Sequence, residues 1–135
     1  MNKKKLKKRA GDFGITIPVF GIGIIFSFGQ SNEKIMAVLK DAGIKYMPNL
    51  LSESDPARGC TYCDGSVTAL IVMKEWPERA SHYNTLNHEI FHACDMTLRN
   101  TGFNLSNDSQ EAWAYMIGHV SERIYQILWI KKHAK

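Results

Sequence analysis

The spacing of hydrophobic residues in the first half of the chain predicts β-strands. Residues 15–20 and 24–28 are rich in β-branched and aromatic side chains, and the glycines between them can turn the chain, so the two runs are predicted to pair as a hairpin. Pro18 favours an edge position for the first strand, because proline has no N–H group to donate to a neighbour. Residues 67–73 form another apolar run and predict a third strand.

Three further segments have apolar residues at helical spacing. The first begins after Ser31 or Asn32, either of which can cap it, and ends at Gly43. Two longer helices are predicted, one over residues 81–98 and one from about residue 106 towards residue 129. Strands followed by a helix, another strand and two long helices predict an α+β fold with a small antiparallel or mixed sheet.

Residues 48–65 are rich in Ser, Asp, Pro and Gly and predict a long loop, a kind of segment that is often functional in compact domains. The loop contains Cys60 and Cys63 as a single CxxC pair. A zinc ribbon needs a second pair and a redox pair normally opens a helix, so we interpret the two cysteines as a loop element near the mouth of an active site. With Cys94 the chain has three cysteines, a low and odd count that favours a reducing cytoplasm, whereas an oxidising compartment would allow a Cys60–Cys63 bridge.

Positive charge is concentrated at the N-terminus. The 135-residue chain has a net charge of +4, and six of its basic residues lie within the first nine positions. Residues 1–12 are therefore predicted to be a basic flexible tail, and residues 13–135 a single domain. The tail either only solubilises the terminus or contacts nucleic acid or an acidic membrane surface.

The tail followed by the apolar run 15–28 resembles a secretory signal. However, Asp12 interrupts the junction, Pro18 and two glycines break the run, and no convincing cleavage site follows. The run is also too short to span a membrane. We expect a cytoplasmic protein without a membrane span, and a secreted one only if residues 1–30 act as a signal.

His88, Glu89 and His92 form an HExxH pattern within the second predicted helix. Residues four apart lie on one helix face, so both imidazoles can reach one zinc ion. Glu89 is then placed to accept a proton from a water that the metal activates. Chance matches to so short a pattern are common, and helix histidines are often simply satisfied polar groups, but the uninterrupted helix and the strand before it favour a metal site.

Catalytic zinc usually has three protein ligands, and Glu111 is the best candidate for the third. It lies near the start of the last predicted helix, nineteen positions after His92, and a turn containing Gly102 lets that helix fold back. The alternative is a glutamate that only stabilises the helix N-terminus.

The chain resembles the gluzincin metallopeptidases, above all the very small ones of bacteria, phages and mobile elements, in His88-Glu89-x-x-His92 and Glu111-Ala112-x-Ala114-Tyr115. The resemblance covers roughly residues 67–120. It implies a minimal zincin-like fold, a Zn²⁺ held by the two histidines and Glu111, and Glu89 as general base. It also implies a peptide or protein substrate that binds as an added strand along residues 67–73. The chain is expected to lack the separate C-terminal helical domain of larger gluzincins.

The transition state of such a reaction also needs a donor for its oxyanion. Tyr115 and His119 lie one turn apart on the last helix, and His82 precedes the motif, so each is a candidate, with packing or support of the ligands as the alternative. Asp95, one turn after His92, can orient a ligand imidazole or be a solvated acid.

These observations predict a zinc metallopeptidase or related amide hydrolase. The alternative is a non-catalytic binding protein of the same fold that contacts nucleic acid through its basic tail. Nucleic acid is otherwise not an expected partner, because the three tryptophans are not spaced as a stacking platform and are expected to pack in the core or at its margin. The oligomeric state stays open.

Overall fold

The structure is a computed structural model, and it describes residues 12–17, 20–41, 57–63, 65 and 67–133. In chain order, these residues form β1 (Asp12–Ile17), β2 (Ile22–Phe28), α1 (Asn32–Asp41), β3 (Gly59–Cys63), β4 (Thr68–Met73), α2 (Ala80–Asn100) and α3 (Gln110–His133). The fold is α+β, as predicted: a four-stranded mixed sheet is followed by two long helices that pack against it. Most of the basic tail, together with Pro18 and Gly43, lies outside the described residues.

The strand order of the sheet is β1-β2-β4-β3. β1 and β2 are antiparallel, which confirms the predicted hairpin and places β1 at an edge. β2 and β4 are parallel, and α1 and β3 lie between them in the chain. β3 pairs antiparallel with β4 and forms the second edge. β4 is therefore a central strand, and the prediction that residues 67–73 offer an edge to a substrate is wrong.

The prediction of a loop over residues 48–65 is also wrong where the structure describes that segment, because residues 59–63 form β3. The strand depends on backbone pairing with β4, because the sequence of residues 59–63 gives only a weak strand signal. Residues three apart in a strand lie on opposite faces, about 10 Å apart along it. Cys60 and Cys63 therefore cannot form a disulfide with each other without a rearrangement of the strand, and neither of them is in a disulfide.

The sheet has an apolar core on each face. The larger core lies between the sheet and the two long helices, and its buried side chains include Phe26, Ile71, Leu86, Ile90 and Val120. The smaller core lies under α1, where Ile35 and Leu39 pack with Leu70 and Val72. β4 contributes to both cores, which explains why its sequence lacks the polar alternation of a strand with one solvated face.

The turn after α2 is closed as the sequence predicted. Gly102 has a φ of 97°, a conformation that glycine adopts without steric cost. The Phe103 N–H donates to the Leu98 carbonyl oxygen at 3.0 Å, and the Gly102 N–H donates to the Arg99 carbonyl oxygen at 3.0 Å. These bonds satisfy the last carbonyls of α2 and end the helix, so that the chain can return as α3.

Gly59 lies where β3 passes closest to α2, and its replacement tests that approach. A Cβ atom on Gly59 would lie 3.0 Å from Thr85 Cγ2, 3.2 Å from the Val72 carbonyl oxygen and 3.3 Å from Glu89 Cγ. We expect Gly59→Ala to lower the free energy of unfolding by about 1–3 kcal/mol, because the strand must shift away from the helix. Chemical denaturation measures the change.

Gly118→Ala in α3 is the matched control, since an added Cβ there meets nothing within 4 Å. It is expected to raise the free energy of unfolding by up to about 1 kcal/mol, because alanine is the better helix former. If Gly59→Ala were neutral or stabilising like the control, β3 would not approach α2 this closely.

Candidate metal centre

The two histidines of the HExxH pattern converge on one point. The Nε2 atoms of His88 and His92 lie 3.1 Å apart, and the ring centroids lie 4.7 Å apart. Two nitrogen ligands of a tetrahedral zinc ion, each at about 2.0–2.1 Å, are separated by about 3.3 Å. The spacing of these two nitrogens is therefore close to that of two of the ligands of a zinc ion. The side chain of His88 is 67% exposed, so the point is open to solvent.

Helical periodicity puts the histidines outside and the glutamate inside. The residues that α2 buries are Leu86, Glu89, Ile90, Ala93, Cys94, Thr97 and Leu98. His88 and His92 lie beside this buried face, while Glu89, about 100° further around the helix than His88, falls at its border with β3. The pattern thus separates two imidazoles on the less buried side of the helix from one buried acid.

Glu89 is only 6% exposed, and it is the one buried side chain with an ionisable carboxyl group among the described residues. Its Oε2 accepts a hydrogen bond from Thr61 Oγ1 at 2.5 Å, and its Oε1 lies 4.0 Å from His88 Nε2. One carboxylate oxygen is thus held by the sheet, and the other lies towards the histidine pair. This arrangement suits a base that acts beside a metal ion.

The structure does not bring Glu111 to the histidine pair. The described residues contain no group of three or more His, Cys, Asp or Glu side chains that could hold a metal ion. α3 does fold back against α2, and the Tyr125 hydroxyl donates to Asn87 Oδ1. Measured along the helix axes from that contact, Glu111 lies about 21 Å away on α3, whereas His92 lies only about 8 Å away on α2. Glu111 is exposed in the first turn of α3, and its ligation stays a prediction.

The structure places Tyr115 and His119 in packing contacts. Their rings stack with centroids 5.9 Å apart and planes 7° apart. Tyr115 also meets Phe20 edge-on, at 6.2 Å between centroids, in the turn between β1 and β2. That turn joins β1 and β2, which lie on the opposite side of the sheet from β3. These contacts therefore favour the packing alternative for both Tyr115 and His119.

His82 and Asp95 also have partners of their own. The Nδ1 atom of His82 accepts the Glu78 N–H at 3.1 Å, and its Nε2 lies 3.0 Å from Glu75 Oε2. Asp95 Oδ1 accepts a hydrogen bond from Arg99 Nε at 2.7 Å, one turn along α2. His82 thus holds the loop before α2, and Asp95 forms an ion pair along the helix surface. Both contacts favour the structural alternatives.

Thr61 is the residue at this site that the sequence analysis missed. The CxxC pair drew attention to the segment, but the residue that reaches Glu89 lies between the cysteines. Gly59, Thr61 and Cys63 share the sheet face towards α2, and Cys60 and Tyr62 lie on the face towards α1. Once the segment is recognised as a strand, this alternation identifies Thr61 as the polar side chain that faces the helix.

The three tryptophans occupy different environments. Trp113 is buried in the larger core, Trp76 packs edge-on against Phe28 with centroids 5.5 Å apart, and Trp129 is 64% exposed. The expectation of core or marginal packing therefore holds for Trp113 and Trp76. No helix within the described part of the chain is long and apolar enough to cross a membrane.

Comparisons with protein-family models, with curated proteins and with solved structures found no match. The relation to gluzincins therefore stays a resemblance in the residues already named.

The three thiols differ in burial, and this difference predicts their reactivity. Burial raises the pKa of the Cys94 thiol from 9.0 to about 12, whereas Cys60 and Cys63 are only half-buried. At pH 8 about one in 10⁴ of the Cys94 thiols is ionised, and the thiolate is the reactive form. We expect a thiol reagent to modify Cys60 and Cys63 in the folded protein and Cys94 only after unfolding, as peptide mapping by mass spectrometry measures.

The same raised pKa predicts alkaline sensitivity. Because the folded pKa lies above the unfolded one, the stabilisation from the neutral thiol is complete below pH 9 and is lost as the pH rises towards 12. The Cys94→Ala variant has no thiol at this position, so it should not show this part of the loss of stability.

Modification of Cys94 in the folded protein as fast as the other two cysteines would contradict its burial.

Proposed function

We propose that this chain is a zinc-dependent hydrolase that cleaves amide bonds, with peptides or proteins as its substrates. The single observation that carries the proposal is the convergence of the His88 and His92 Nε2 atoms, 3.1 Å apart, beside the buried carboxylate of Glu89. The same separation also suits an N–H···N hydrogen bond between the two rings, so zinc binding has to be measured directly.

The chain's own residues divide the chemistry between them. A zinc ion held by His88 and His92 would supply a Lewis acid and would lower the pKa of water towards about 7. Glu89 Oε1, the oxygen that lies towards the pair, would accept a proton from a water that adds to the substrate carbonyl and would return it to the leaving amine. The low exposure of Glu89 limits competition from bulk water for this proton.

Zinc binding is the first test. We expect the full chain, stripped with a chelator, to take up one Zn²⁺, and we expect His88→Ala and His92→Ala each to weaken binding by more than about 100-fold, because each removes a metal ligand. Calorimetric titration with zinc measures the affinity. His82→Asn is the matched control, since His82 already has partners in the loop before α2.

The hydrolytic step is separated from metal binding by Glu89→Gln. This variant should still bind zinc, and its hydrolysis of a mixture of fluorogenic peptides should fall by about 10²–10⁴-fold, since the base is lost. Zinc uptake that is unchanged in His88→Ala would overturn the proposed site. Zinc binding without hydrolysis of any peptide would favour the non-catalytic alternative.

The third ligand is tested separately. The resemblance implies that Glu111 completes the zinc site, so we expect Glu111→Ala to weaken zinc binding by more than about 100-fold, given that loss of an outer partner alone typically costs 10- to 100-fold. Glu122→Ala is the matched control, because Glu122 is another exposed glutamate on α3. Equal zinc affinities of the two variants would show that Glu111 is not a ligand.

A further inference from the structure

We propose that Thr61, on the edge strand β3, is a positioning residue that holds the Glu89 carboxylate in the orientation the reaction needs. The inference rests on the proposed function, because it assigns Glu89 the role of base. It adds a residue that lies outside the HExxH pattern and outside the resemblance.

The Thr61 hydroxyl contacts both the side chain and the main chain of Glu89. Its Oγ1 lies 2.5 Å from Glu89 Oε2 and 3.1 Å from the Glu89 backbone carbonyl oxygen. An ionised carboxylate only accepts hydrogen bonds, so Thr61 donates to Oε2, and the short distance is typical of an O–H···O⁻ bond. A hydroxyl has one proton to donate, so Oε2 is its main acceptor, and the Glu89 carbonyl oxygen at 3.1 Å is a second, longer contact.

The bond fixes the orientation of the carboxylate. With one oxygen, Oε2, held by Thr61, the other, Oε1, lies towards the histidine pair, at 4.0 Å from His88 Nε2. The two oxygens of a carboxylate are equivalent, so a half-turn only exchanges them, whereas a change of rotamer or a tilt of the carboxylate plane breaks the hydrogen bond. Thr61 thus holds the rotamer and the plane of the carboxylate so that one oxygen faces the histidine pair.

The position of Thr61 is set by the sheet. Gly59 and Thr61 pair with Met73 and Ile71 of the central strand, and this register puts both on the face towards α2. The absence of a side chain at Gly59 allows β3 to come close enough for the Thr61 hydroxyl to reach Glu89. The contact is therefore built into the fold and does not depend on a flexible surface side chain.

The test compares Thr61→Val, which keeps the shape and removes the hydroxyl, with Thr61→Ser, which keeps the hydroxyl. Thr85→Val is the matched control: Thr85 also lies against Gly59, but its hydroxyl donates to the Ser81 carbonyl oxygen and not to Glu89. If Thr61→Val does not fold, Thr61→Ala takes its place.

The first measurement uses the zinc-free full chain and does not depend on activity. Three-bond NMR couplings of isotopically labelled glutamate report the Glu89 side-chain rotamers. We expect a single rotamer in the wild type, in Thr61→Ser and in Thr85→Val, and averaged couplings in Thr61→Val. A single unchanged rotamer in Thr61→Val would overturn the positioning role.

The second measurement uses the zinc-loaded protein and fluorogenic peptides. We expect Thr61→Val to lower kcat by about 10- to 100-fold with KM and zinc affinity unchanged, and Thr61→Ser to restore most of kcat. Unchanged kcat in Thr61→Val would contradict the proposal. If the wild type cleaves no peptide, the proposed function fails, and the rotamer measurement alone decides whether Thr61 positions Glu89.

Discussion

The carboxylate of Glu89 lies in the interface between α2 and the sheet, where only 6% of the residue is exposed. Moving a carboxylate out of water costs several kcal/mol unless hydrogen bonds replace the lost hydration. The Thr61 hydroxyl supplies such a bond, and it can do so only if β3 runs close to the helix. That approach in turn requires a glycine at position 59 and a strand held in register by β4. One arrangement therefore links the buried carboxylate to the edge strand, the glycine and the threonine.

The HExxH pattern places its residues in two environments because of the helical repeat. His88 and His92 are separated by about 40° around the helix axis and share its outer side, whereas Glu89 is turned by about 100° from His88 towards the sheet. The histidines can thus meet an ion that arrives from solvent, while the glutamate is supported from behind by β3. A histidine pair on an isolated helix would offer the ion the same two nitrogens, but it would lack the held base.

The elements with strong local patterns could be predicted from the sequence, and those that depend on partners could not. The β1–β2 hairpin, β4 and the three helices follow from β-branched runs or helical spacing, and so does the α+β class. β3 was missed because it is short and lies in a segment rich in Ser, Asp, Pro and Gly, and its pairing with β4 is not visible in the local sequence. Likewise the HExxH spacing is local, whereas the contact between Thr61 and Glu89 joins residues 28 positions apart. The placement of Glu111 depends on how α3 packs along α2, which no local pattern specifies.

The two halves of the candidate centre have different mechanical supports. The Glu89 carboxylate is held by a strand of the sheet, and its hydrogen bond to Thr61 does not involve the histidine pair. The imidazoles are carried by the helix alone, with His88 largely exposed. If Glu89 is the base of the proposed reaction, its orientation would be in place before an ion binds and would add no reorganisation cost at the moment of reaction. Adjustment to an incoming ion would then fall on the imidazoles, whose rings can move without disturbing the buried carboxylate.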